Sequence, residues 1–480
     1  MECLSRLSFR PLVVVRACLA PTRILHKPGS RGLLTSLFQR GLLHDVFPSE
    51  GGKGSQALSE LLRGGAQTAY CGFDPTADSL HVGHLPAILT LLRFQRAGHH
   101  SIAVIGGATA LIGDPSGKTE IREPLSPEQL VRNERGLREC LRRVCANGEL
   151  LGGGKARGSL SILNNSAWYE ERKALEFLAS VGRHFRMGTL LSRHSVQSRL
   201  QSPQGMSLVE FLYQMFQAYD FYYLHQHYDC RIQVGGTDQL GNIMTGYEFI
   251  HRVTGQDVYG ITVPLITSST GDKLGKSVRN AVWLNREKTS PFEFYQFLVR
   301  QEDSCVERLL KLFTFLPLPE IVHIMDMHNK EPEKRGAQKR LAAEVTKLVH
   351  GKEGLESAKR CTTALYHSSL DALEAMSDQE LKELFRETPF KELMLEPGMT
   401  VLDVCRKACA IPDGARGFEM ITEGGVRINH HKVWNPQEVL ILGQHILKNG
   451  LSLLTIGKKH FYVVKWLQLA PAIESFRSCK

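Results

Sequence analysis

A strand–turn–helix–strand pattern between residues 68 and 105 constrains the fold more than any other part of the chain. Thr68–Phe73 and Ser101–Ile105 are short, almost wholly apolar segments, and the apolar-periodic run Leu85–Ala97 between them is followed by Gly98. A strand, a helix and a second strand at this spacing form a βαβ unit, whose parallel strands are buried on both faces. We therefore predict an α/β fold with a Rossmann-like parallel sheet.

The turn between the first strand and the helix carries the polar residues of this unit. Asp74, Thr76, His81 and His84 lie there, and ligands of such sheets bind beyond the C-terminal ends of the strands. The free backbone N–H groups of a helix N-terminus also favour phosphate. Taken alone, the two histidines are also compatible with a surface turn in which both are solvated.

A second informative helix is predicted over Ser207–His227. It begins with a capping box formed by Ser207 and Glu210. Three polar residues, Tyr213, Gln217 and Asp220, fall on one stripe of this otherwise apolar and aromatic helix. A buried aspartate needs a partner, so the stripe either faces solvent or forms the wall of a polar pocket.

Three further segments have the character of ligand-binding loops. Gly113–Thr119 resembles a phosphate-binding P-loop, but Ile112 stands where the first glycine of that motif belongs. The predicted strand Arg231–Val234 leads through Gly235–Gln239 into a helix, and the strand Val258–Ile266 precedes a loop that carries Lys273 and Lys276. Lysine pairs in loops are usually solvated, although beside a nucleotide-binding sheet they are suited to phosphates.

Composition excludes several classes of protein. A chain of 480 residues with 42% hydrophobic content is predicted to form two to four packed domains. Its eleven cysteines have no regular spacing, which argues against a disulfide scaffold or a zinc site and fits a reducing compartment. No apolar run approaches the roughly 18 residues that span a membrane. The formal net charge of +10 suits a polyanionic partner.

The first 30 residues differ from the rest in charge. Between Glu2 and Asp45 there is no acidic residue, while arginines and lysines are spread among Leu, Val and Ser. This composition is typical of a mitochondrial targeting segment, whereas a secretory signal places its charge ahead of one longer apolar core. A disordered basic tail is the alternative. We predict that residues 1–30 direct the chain to the mitochondrial matrix.

The C-terminal half changes character twice. Residues 290–390 hold charged amphipathic segments without a strand pattern, and Thr289 or Ser290 with Pro291 is suited to begin the first of their helices. Lys391–Pro397 is predicted to be a linker. Residues 398–480 combine helix-like and strand-like segments, and residues 391–480 carry a modest excess of basic over acidic side chains. Such an excess is compatible with phosphate contacts.

Six motifs, in this order, carry a resemblance to one family. They are Tyr70–Thr76, His81–His84, Gly113–Lys118, Tyr213–Asp220, Gln233–Gln239 and Lys273–Ser277. The second is similar to the HIGH signature, and the last is similar to the KMSKS loop with Leu-Gly in place of Met-Ser. Together they resemble the tyrosyl-tRNA synthetases of the bacterial and organellar type, which are class I aminoacyl-tRNA synthetases.

The resemblance implies an activity and a set of partners. We expect a tyrosine–tRNA ligase that uses ATP to form tyrosyl-adenylate and then charges mitochondrial tRNA(Tyr). Mg²⁺ is expected to arrive with ATP and pyrophosphate, since no carboxylate cluster forms a protein metal site. A homodimer is implied, with the insertion at about residues 150–205 as its interface, and no membrane association is expected.

The resemblance also implies four segments. They are the targeting segment 1–30, a Rossmann-like catalytic domain 31–280, a helical tRNA- and anticodon-binding domain 281–390, and a small α+β RNA-binding domain of the ribosomal-protein type 391–480. In the last domain Arg416, Arg427, Lys432, Lys458 and Lys459 are candidate RNA contacts.

Site roles carried over from the family fall into three groups. Tyrosine binding is implied for Tyr70 and Asp220 at the phenol hydroxyl, Asp114, Tyr213 and Gln217 at the α-ammonium, and Gln233 and Gly236 near the carboxylate. ATP binding is implied for Asp74, Gly83, Gly235 and Asp238 at the ribose and backbone, for Ile266 against the adenine, and for Lys276. Phosphate and pyrophosphate contacts are implied for Thr76, His81, His84, Lys118, Arg122, Lys273 and Lys276.

Two alternatives remain open from the sequence. A synthetase-derived RNA-binding protein, such as an intron-splicing cofactor, would keep this fold without ligase activity. A tryptophanyl-tRNA synthetase has the same fold, but indole offers no hydroxyl group for Tyr70 and Asp220.

Overall fold

The computed structural model describes residues 32–49, 53–117, 125–151, 157–266, 276–277, 280–366, 389–457 and 460–467, with residues 371, 374, 376, 380, 381 and 383. The predicted targeting segment 1–30 lies outside these residues. So do the predicted phosphate-binding cations Lys118, Arg122 and Lys273, the side chain of Lys276, and the candidate RNA contacts Lys458 and Lys459.

A six-stranded sheet forms the first half of the molecule. Its strands are β1 Asp45–Phe47, β2 Thr68–Phe73, β3 His100–Ile105, β4 Leu160–Asn164, β5 Cys230–Gly236 and β6 Tyr259–Val263. The order across the sheet is β1-β6-β5-β2-β3-β4. All neighbours are parallel except β1, which pairs antiparallel with β6 at one edge. This arrangement confirms the α/β fold with a parallel sheet.

Helices cover both faces of this sheet. The first five are α1 Leu33–Gln39, α2 Lys53–Gly64, α3 Leu85–Ala97, α4 Thr109–Ile112 and α5 Pro127–Leu151. The predicted bounds of the central helix α3 are confirmed, because Gly98 adopts the left-handed conformation (φ 101°) that ends a helix. The segment between β4 and β5 contributes α6 Ser166–Tyr169, α7 Ala174–Ser180, α8 Met187–Leu191, α9 His194–Leu200 and α10 Leu208–Tyr228, and α11 Leu240–Thr254 follows β5.

The second half begins with a small hairpin and a helical region. The hairpin pairs β7 Lys276–Ser277 with β8 Asn280–Ala281. The helices are α12 Pro291–Val299, α13 Asp303–Phe313, α14 Leu318–Lys330 and α15 Gly336–Tyr366, the last interrupted at Gly351. Ser290 and Glu293 form a capping box at the start of α12, as the sequence predicts for Ser290. None of the described helices combines the length and apolarity that crossing a membrane requires.

One hydrophobic core connects the sheet to the helical region. It joins Ile88 and Leu92 of α3 and Leu141 of α5 to Leu309 of α13 and Leu341 of α15. The helical region is therefore packed directly on the helices that cover the sheet.

A five-stranded sheet with two helices forms the C-terminal part. Its elements are β9 Phe390–Met394, α16 Val401–Lys407, α17 Ala415–Thr422, β10 Val426–Ile428, β11 His431–Val433, β12 Leu451–Ile456 and β13 His460–Leu467, and the strand order is β11-β10-β12-β13-β9. The prediction that Lys391–Pro397 is a linker was wrong. Residues 390–394 form an edge strand because they pair in parallel with Val463–Leu467, about 70 residues further along the chain.

Both faces of this second sheet are covered. One face packs against α16 and α17 through residues such as Val404, Ile421 and Leu454. The other face contacts the helical region, where Leu453 lies in a cluster with Ala364 of α15. His430 Nε2 also donates a hydrogen bond to the Ala364 carbonyl over 3.0 Å. The C-terminal sheet is therefore docked on the helical region.

Candidate active site

A cavity of about 600 Å³ opens at the C-terminal ends of the parallel strands. The turn after β2, the loop after β3, helix α10 and the loops after β5 and β6 all contribute to its walls. Every predicted site residue whose side chain the structure describes lines this cavity; these are Tyr70, Asp74, Thr76, His81, Gly83, His84, Asp114, Tyr213, Gln217, Asp220, Gln233, Gly235, Gly236, Asp238 and Ile266.

The two predicted histidines lie at the mouth of the cavity, at the start of α3. His81 caps a single 3₁₀ turn, Val82–His84, and its Nδ1 accepts the Gly83 N–H over 3.1 Å. His84 Nδ1 accepts the His81 N–H over 3.1 Å. A Cβ at Gly83 would lie 2.8 Å from the His81 ring, so this position requires glycine. The two rings are therefore fixed side by side, with centroids 4.0 Å apart.

Asp74 connects the turn after β2 to two other walls. Its Oδ1 accepts a hydrogen bond from Thr109 Oγ1 over 2.8 Å, and its Oδ2 accepts one from the Tyr213 hydroxyl over 2.8 Å. A Cβ at Gly106 would lie 2.0 Å from Asp74 Oδ1. The glycine that ends β3 thus allows this carboxylate to approach the sheet.

Asp114 is the centre of a second network. Its Oδ2 accepts a hydrogen bond from Gln239 Nε2 over 2.7 Å, and its Oδ1 accepts the Ser116 N–H over 3.0 Å. Asn242 Nδ2 donates to Gln217 Oε1 over 3.1 Å and also approaches Asp114. Asn242 Nδ2 also donates to Gln239 Oε1 over 3.0 Å, so the Asp114 carboxylate and the amide oxygens of Gln217 and Gln239 lie close together, an arrangement suited to a cation or an ammonium group.

Asp220 lines the cavity and is buried, with 5% of its surface exposed. Its Oδ1 accepts hydrogen bonds from Trp168 Nε1 (2.8 Å) and the Tyr169 hydroxyl (2.9 Å), and its Oδ2 accepts one from Asn165 Nδ2 (3.0 Å). Burial raises the pKa of Asp220 to about 7, although these three hydrogen bonds oppose the shift. The polar stripe of α10 is therefore a pocket wall and does not face solvent.

Tyr70 faces the same end of the cavity from strand β2. Its side chain is 2% exposed. Burial and the nearby Asp220 carboxylate raise the pKa of Tyr70 well above its usual value, so the hydroxyl keeps its proton. In the described part of the chain neither this hydroxyl nor Gln233 Oε1 has a hydrogen-bond partner. Buried polar atoms of this kind indicate a polar ligand.

Comparison with known proteins identifies the family. The model of the class I tRNA synthetases for tryptophan and tyrosine matches residues 63–367. The chain is 68% identical over 446 residues to the mitochondrial tyrosine–tRNA ligase of Homo sapiens, covering 92% of this chain and 93% of that protein. It is 39% identical over 436 residues to the tyrosine–tRNA ligase of Geobacillus stearothermophilus, covering 90% and 99%. The chain belongs to the tyrosyl-tRNA synthetases.

Solved structures agree with this assignment. A C-terminally truncated mitochondrial tyrosyl-tRNA synthetase of Aspergillus nidulans superposes with a TM-score of 0.63 at 34% identity, covering 70% of this chain and 95% of that one. Similar mammalian and insect proteins, from Mus musculus and Drosophila melanogaster, are named mitochondrial. The predicted class I synthetase fold is confirmed, and this synthetase is a mitochondrial member of the family.

Several residues of the site were not predicted from the sequence. Asn165, Trp168 and Tyr169 surround Asp220, while Gln239 and Asn242 surround Asp114. Asn165 directly follows the C-terminal end of β4. Because ligands of parallel sheets bind beyond the C-terminal strand ends, its position in the sequence could have predicted that it belongs to the site. Trp168 and Tyr169 belong to the one-turn helix α6 and had no such signal.

The described residues contain no cluster of three or more His, Cys, Asp or Glu side chains that could hold a metal ion. The acidic side chains of the cavity are instead engaged in hydrogen bonds with neutral groups, and Asp74 and Asp220 are linked because Asn165 Nδ2 donates to both Thr109 Oγ1 and Asp220 Oδ2. Asp74 and Asp114 each accept hydrogen bonds from neutral side chains, as described above.

Proposed function

We propose that this synthetase activates L-tyrosine with ATP in the mitochondrial matrix and transfers the tyrosyl group to mitochondrial tRNA(Tyr). One observation carries the proposal. A single cavity has an enclosed polar end, formed by Tyr70 and Asp220, and a second end at the helix start that carries His81 and His84. The first end fits a phenol hydroxyl and the second fits phosphate groups.

The tyrosine substrate lies with its side chain toward Asp220. Its phenol hydroxyl donates to the Asp220 carboxylate and accepts from the Tyr70 hydroxyl, which gives the buried Tyr70 group a partner. Its ammonium group lies at the acceptor atoms around Asp114, Tyr213 and Gln217, and Gln233 and Gly236 lie near its carboxylate. This orientation therefore gives the buried Tyr70 hydroxyl the hydrogen-bond acceptor that it lacks among the described residues.

Activation requires positioning and charge neutralisation and no covalent enzyme intermediate. The tyrosine carboxylate attacks the α-phosphorus of ATP in line, the bond from that phosphorus to the bridging oxygen breaks, and pyrophosphate leaves. Asp74, Gly83, Gly235, Asp238, Ile266 and Lys276 bind ATP. Thr76, His81, His84, Lys118, Arg122, Lys273 and Lys276 contact the phosphates, and Mg²⁺ arrives with the nucleotide.

Selectivity against phenylalanine follows from the same buried groups. If phenylalanine enters, Tyr70 and Asp220 lose the hydroxyl that satisfies them, and leaving buried polar groups unpaired is costly. Tyrosyl-tRNA synthetases are themselves the standard example of this effect, with about 10⁵-fold discrimination in the absence of editing; that magnitude is taken from the family. No editing domain is needed.

The two C-terminal parts supply the RNA-binding surfaces. In this proposal residues 281–390 reach toward the anticodon, and residues 391–480 form a further RNA contact that includes Arg416, Arg427 and Lys432. Arg427 and Lys432 are directly opposed in the β10–β11 hairpin, and both are exposed. Two adjacent cations on one exposed face support a phosphate contact.

A homodimer is part of the proposal. The insertion between β4 and β5 has large apolar side chains on its surface, and the first turn of α10 continues this surface; they are Leu175, Leu178, Met187, Leu200, Leu208 and Val209. Exposed apolar surface of this extent is typical of an interface.

Tyrosine-dependent ATP–pyrophosphate exchange tests the proposed function. The full chain is assayed in parallel with tyrosine, phenylalanine and tryptophan, followed by charging of a mitochondrial tRNA(Tyr) transcript. We expect exchange with tyrosine alone. Exchange with tryptophan alone would reassign the substrate, and binding of the transcript without any exchange would establish the RNA-binding alternative instead.

A further inference from the structure

The β7–β8 hairpin and the strand-like residues after it connect Lys276 to the segment that carries His81 and His84. In the β7–β8 hairpin, Lys276 pairs with Ala281. Two residues after Ala281, Trp283 forms an isolated antiparallel bridge with His81. The backbone that carries Lys276 is therefore connected, within a few residues, to the backbone that carries His81.

Backbone hydrogen bonds on both sides of Trp283 fix this register. The Val82 N–H donates to the Val282 carbonyl over 2.9 Å, and the Leu284 N–H donates to the Leu80 carbonyl over 2.8 Å. The Trp283 N–H itself donates to Thr289 Oγ1 over 3.0 Å. Three hydrogen bonds thus hold residues 282–284 in one position at the mouth of the cavity.

The Trp283 side chain continues this contact into the cavity wall. Its ring lines the cavity and lies edge-on to the His81 imidazole, with centroids 6.2 Å apart and planes at 71°. Lys288 Nζ lies 4.9 Å from the centroid of the Trp283 ring and pairs with Asp78 Oδ1 at 2.6 Å. A cation held over an indole face stabilises the ring in that position.

The His81 imidazole consequently has two aromatic neighbours. The ring centroid of His84 lies 4.0 Å away and that of Trp283 lies 6.2 Å away. The Gly83 N–H bonded to His81 Nδ1 sets the rotation of the ring. The Trp283 ring, which also lines the cavity, limits how far the His81 imidazole can move away from His84.

We propose that Trp283 is a positioning residue for tyrosine activation, acting through His81. The inference rests on the proposed function and adds a residue to which that function assigns no role. His81 stabilises charge on the phosphates only if its ring is held where that charge develops, because preorganised groups need no rearrangement during the reaction. A displacement of about 1 Å in such a group is sufficient to lower the rate about 100-fold.

A double-mutant cycle in ATP–pyrophosphate exchange tests the proposal. The variants are Trp283→Ala, Trp283→Phe, His81→Ala and the double variant with Trp283→Ala and His81→Ala. Trp434→Ala, on the exposed surface of the C-terminal sheet, is the matched control. For each variant kcat and the KM values for tyrosine and ATP are measured, together with the melting temperature. Trp283→Leu keeps the apolar bulk and replaces the alanine variant if that variant does not fold.

We expect Trp283→Ala to lower kcat by about 10- to 100-fold with little change in the tyrosine KM, and Trp283→Phe to restore most of the rate. The double variant should be no slower than His81→Ala, because Trp283 acts through that ring. A folded Trp283→Ala enzyme with the unsubstituted rate would overturn the proposal, as would a double variant whose loss is the product of the two single losses. Failure of the proposed function itself would be recognised separately, because the unsubstituted enzyme would then show no tyrosine-dependent exchange.

Discussion

At the scale of single residues, the site is defined by carboxylates in different surroundings. Asp114 accepts hydrogen bonds from Gln239 and the Ser116 N–H, whereas Asp220 is enclosed among Asn165, Trp168 and Tyr169. The described part of the chain gives Asp220 no cationic partner. The Asp220 carboxylate is therefore stabilised by neutral hydrogen-bond donors, and the hydroxyl group of a neutral phenol can add one more donor.

The raised pKa of Asp220 gives a pH dependence of stability with a definite sign. Between about pH 4 and pH 7 the folded protein keeps a proton on Asp220 that the unfolded chain releases. The stabilisation is complete below pH 4 and is lost as the pH rises through 7, at about 1.4 kcal/mol per pH unit within that window. Asparagine does not titrate, so we expect the Asp220→Asn variant not to lose stability in this way. The free energy of unfolding of the variant minus that of the unsubstituted enzyme should therefore be larger at pH 7 than at pH 5.

Urea unfolding of both proteins at the two pH values measures this difference. Parallel pH dependence of the two proteins would show that Asp220 titrates near the ordinary value. The same variant should catalyse tyrosine-dependent ATP–pyrophosphate exchange far more slowly, because it lacks the carboxylate that accepts the hydrogen bond from the phenol hydroxyl. Normal exchange in the folded variant would contradict the role of Asp220.

At the scale of elements, α10 connects the cavity to the insertion. Ser207 and Glu210 cap its first turn, as the sequence predicts, and Tyr213 lies one turn further along. Glu210 also forms a salt bridge at 2.8 Å with Arg199 of α9, and the two side chains are only 8% and 1% exposed. The insertion is thus attached, through a buried charge pair, to the helix that lines the cavity.

Removing the charge of Glu210 should destabilise this attachment. Glu210→Gln leaves the buried Arg199 guanidinium without its counter-ion, which costs about 3 kcal/mol, and we expect a lower melting temperature and a higher KM for tyrosine. Glu139→Gln is the control, since its partner Arg135 is solvent-exposed and such pairs contribute less than about 1 kcal/mol. Replacing Arg199 by methionine in the Glu210→Gln background should recover stability. Equal melting temperatures of the Glu210 and Glu139 variants would contradict the argument.

At the scale of the whole molecule, two cores hold three parts together. The core of α3, α5 and the helical region joins the sheet to α12–α15, and a second cluster joins α15 to the C-terminal sheet. The surface of the insertion retains several exposed large apolar side chains, which is why it is the proposed subunit interface. Leu208, at the start of α10, is 71% exposed.

A charge at Leu208 tests whether this surface is the subunit interface. We expect Leu208→Asp to produce monomers with a raised tyrosine KM, because a carboxylate in an apolar interface is left unpaired when the subunits associate. Val131→Asp on α5, where the valine is 67% exposed, is the matched control and should remain dimeric. Analytical ultracentrifugation of both variants decides the matter, and a dimeric Leu208 variant would place the interface elsewhere.

Local sequence determined the elements of the catalytic part. The apolar strand Thr68–Phe73, the left-handed glycine Gly98 after α3 and the capping residues Ser207 and Ser290 act within a few residues of backbone, so their signals are visible in sequence. The motif residues whose side chains the structure describes also lie around one cavity, because the C-terminal ends of parallel strands meet at one edge of a sheet.

Only the tertiary structure decided which side chains surround these motifs. Trp168 and Tyr169 reach Asp220 from a helix about 50 residues away, and Trp283 reaches His81 from about 200 residues away. The edge strand Phe390–Met394 exists because it pairs with β13. Pairings over such distances depend on how whole elements pack, and the residues that make them carry no local pattern that distinguishes them from linkers or surface helices.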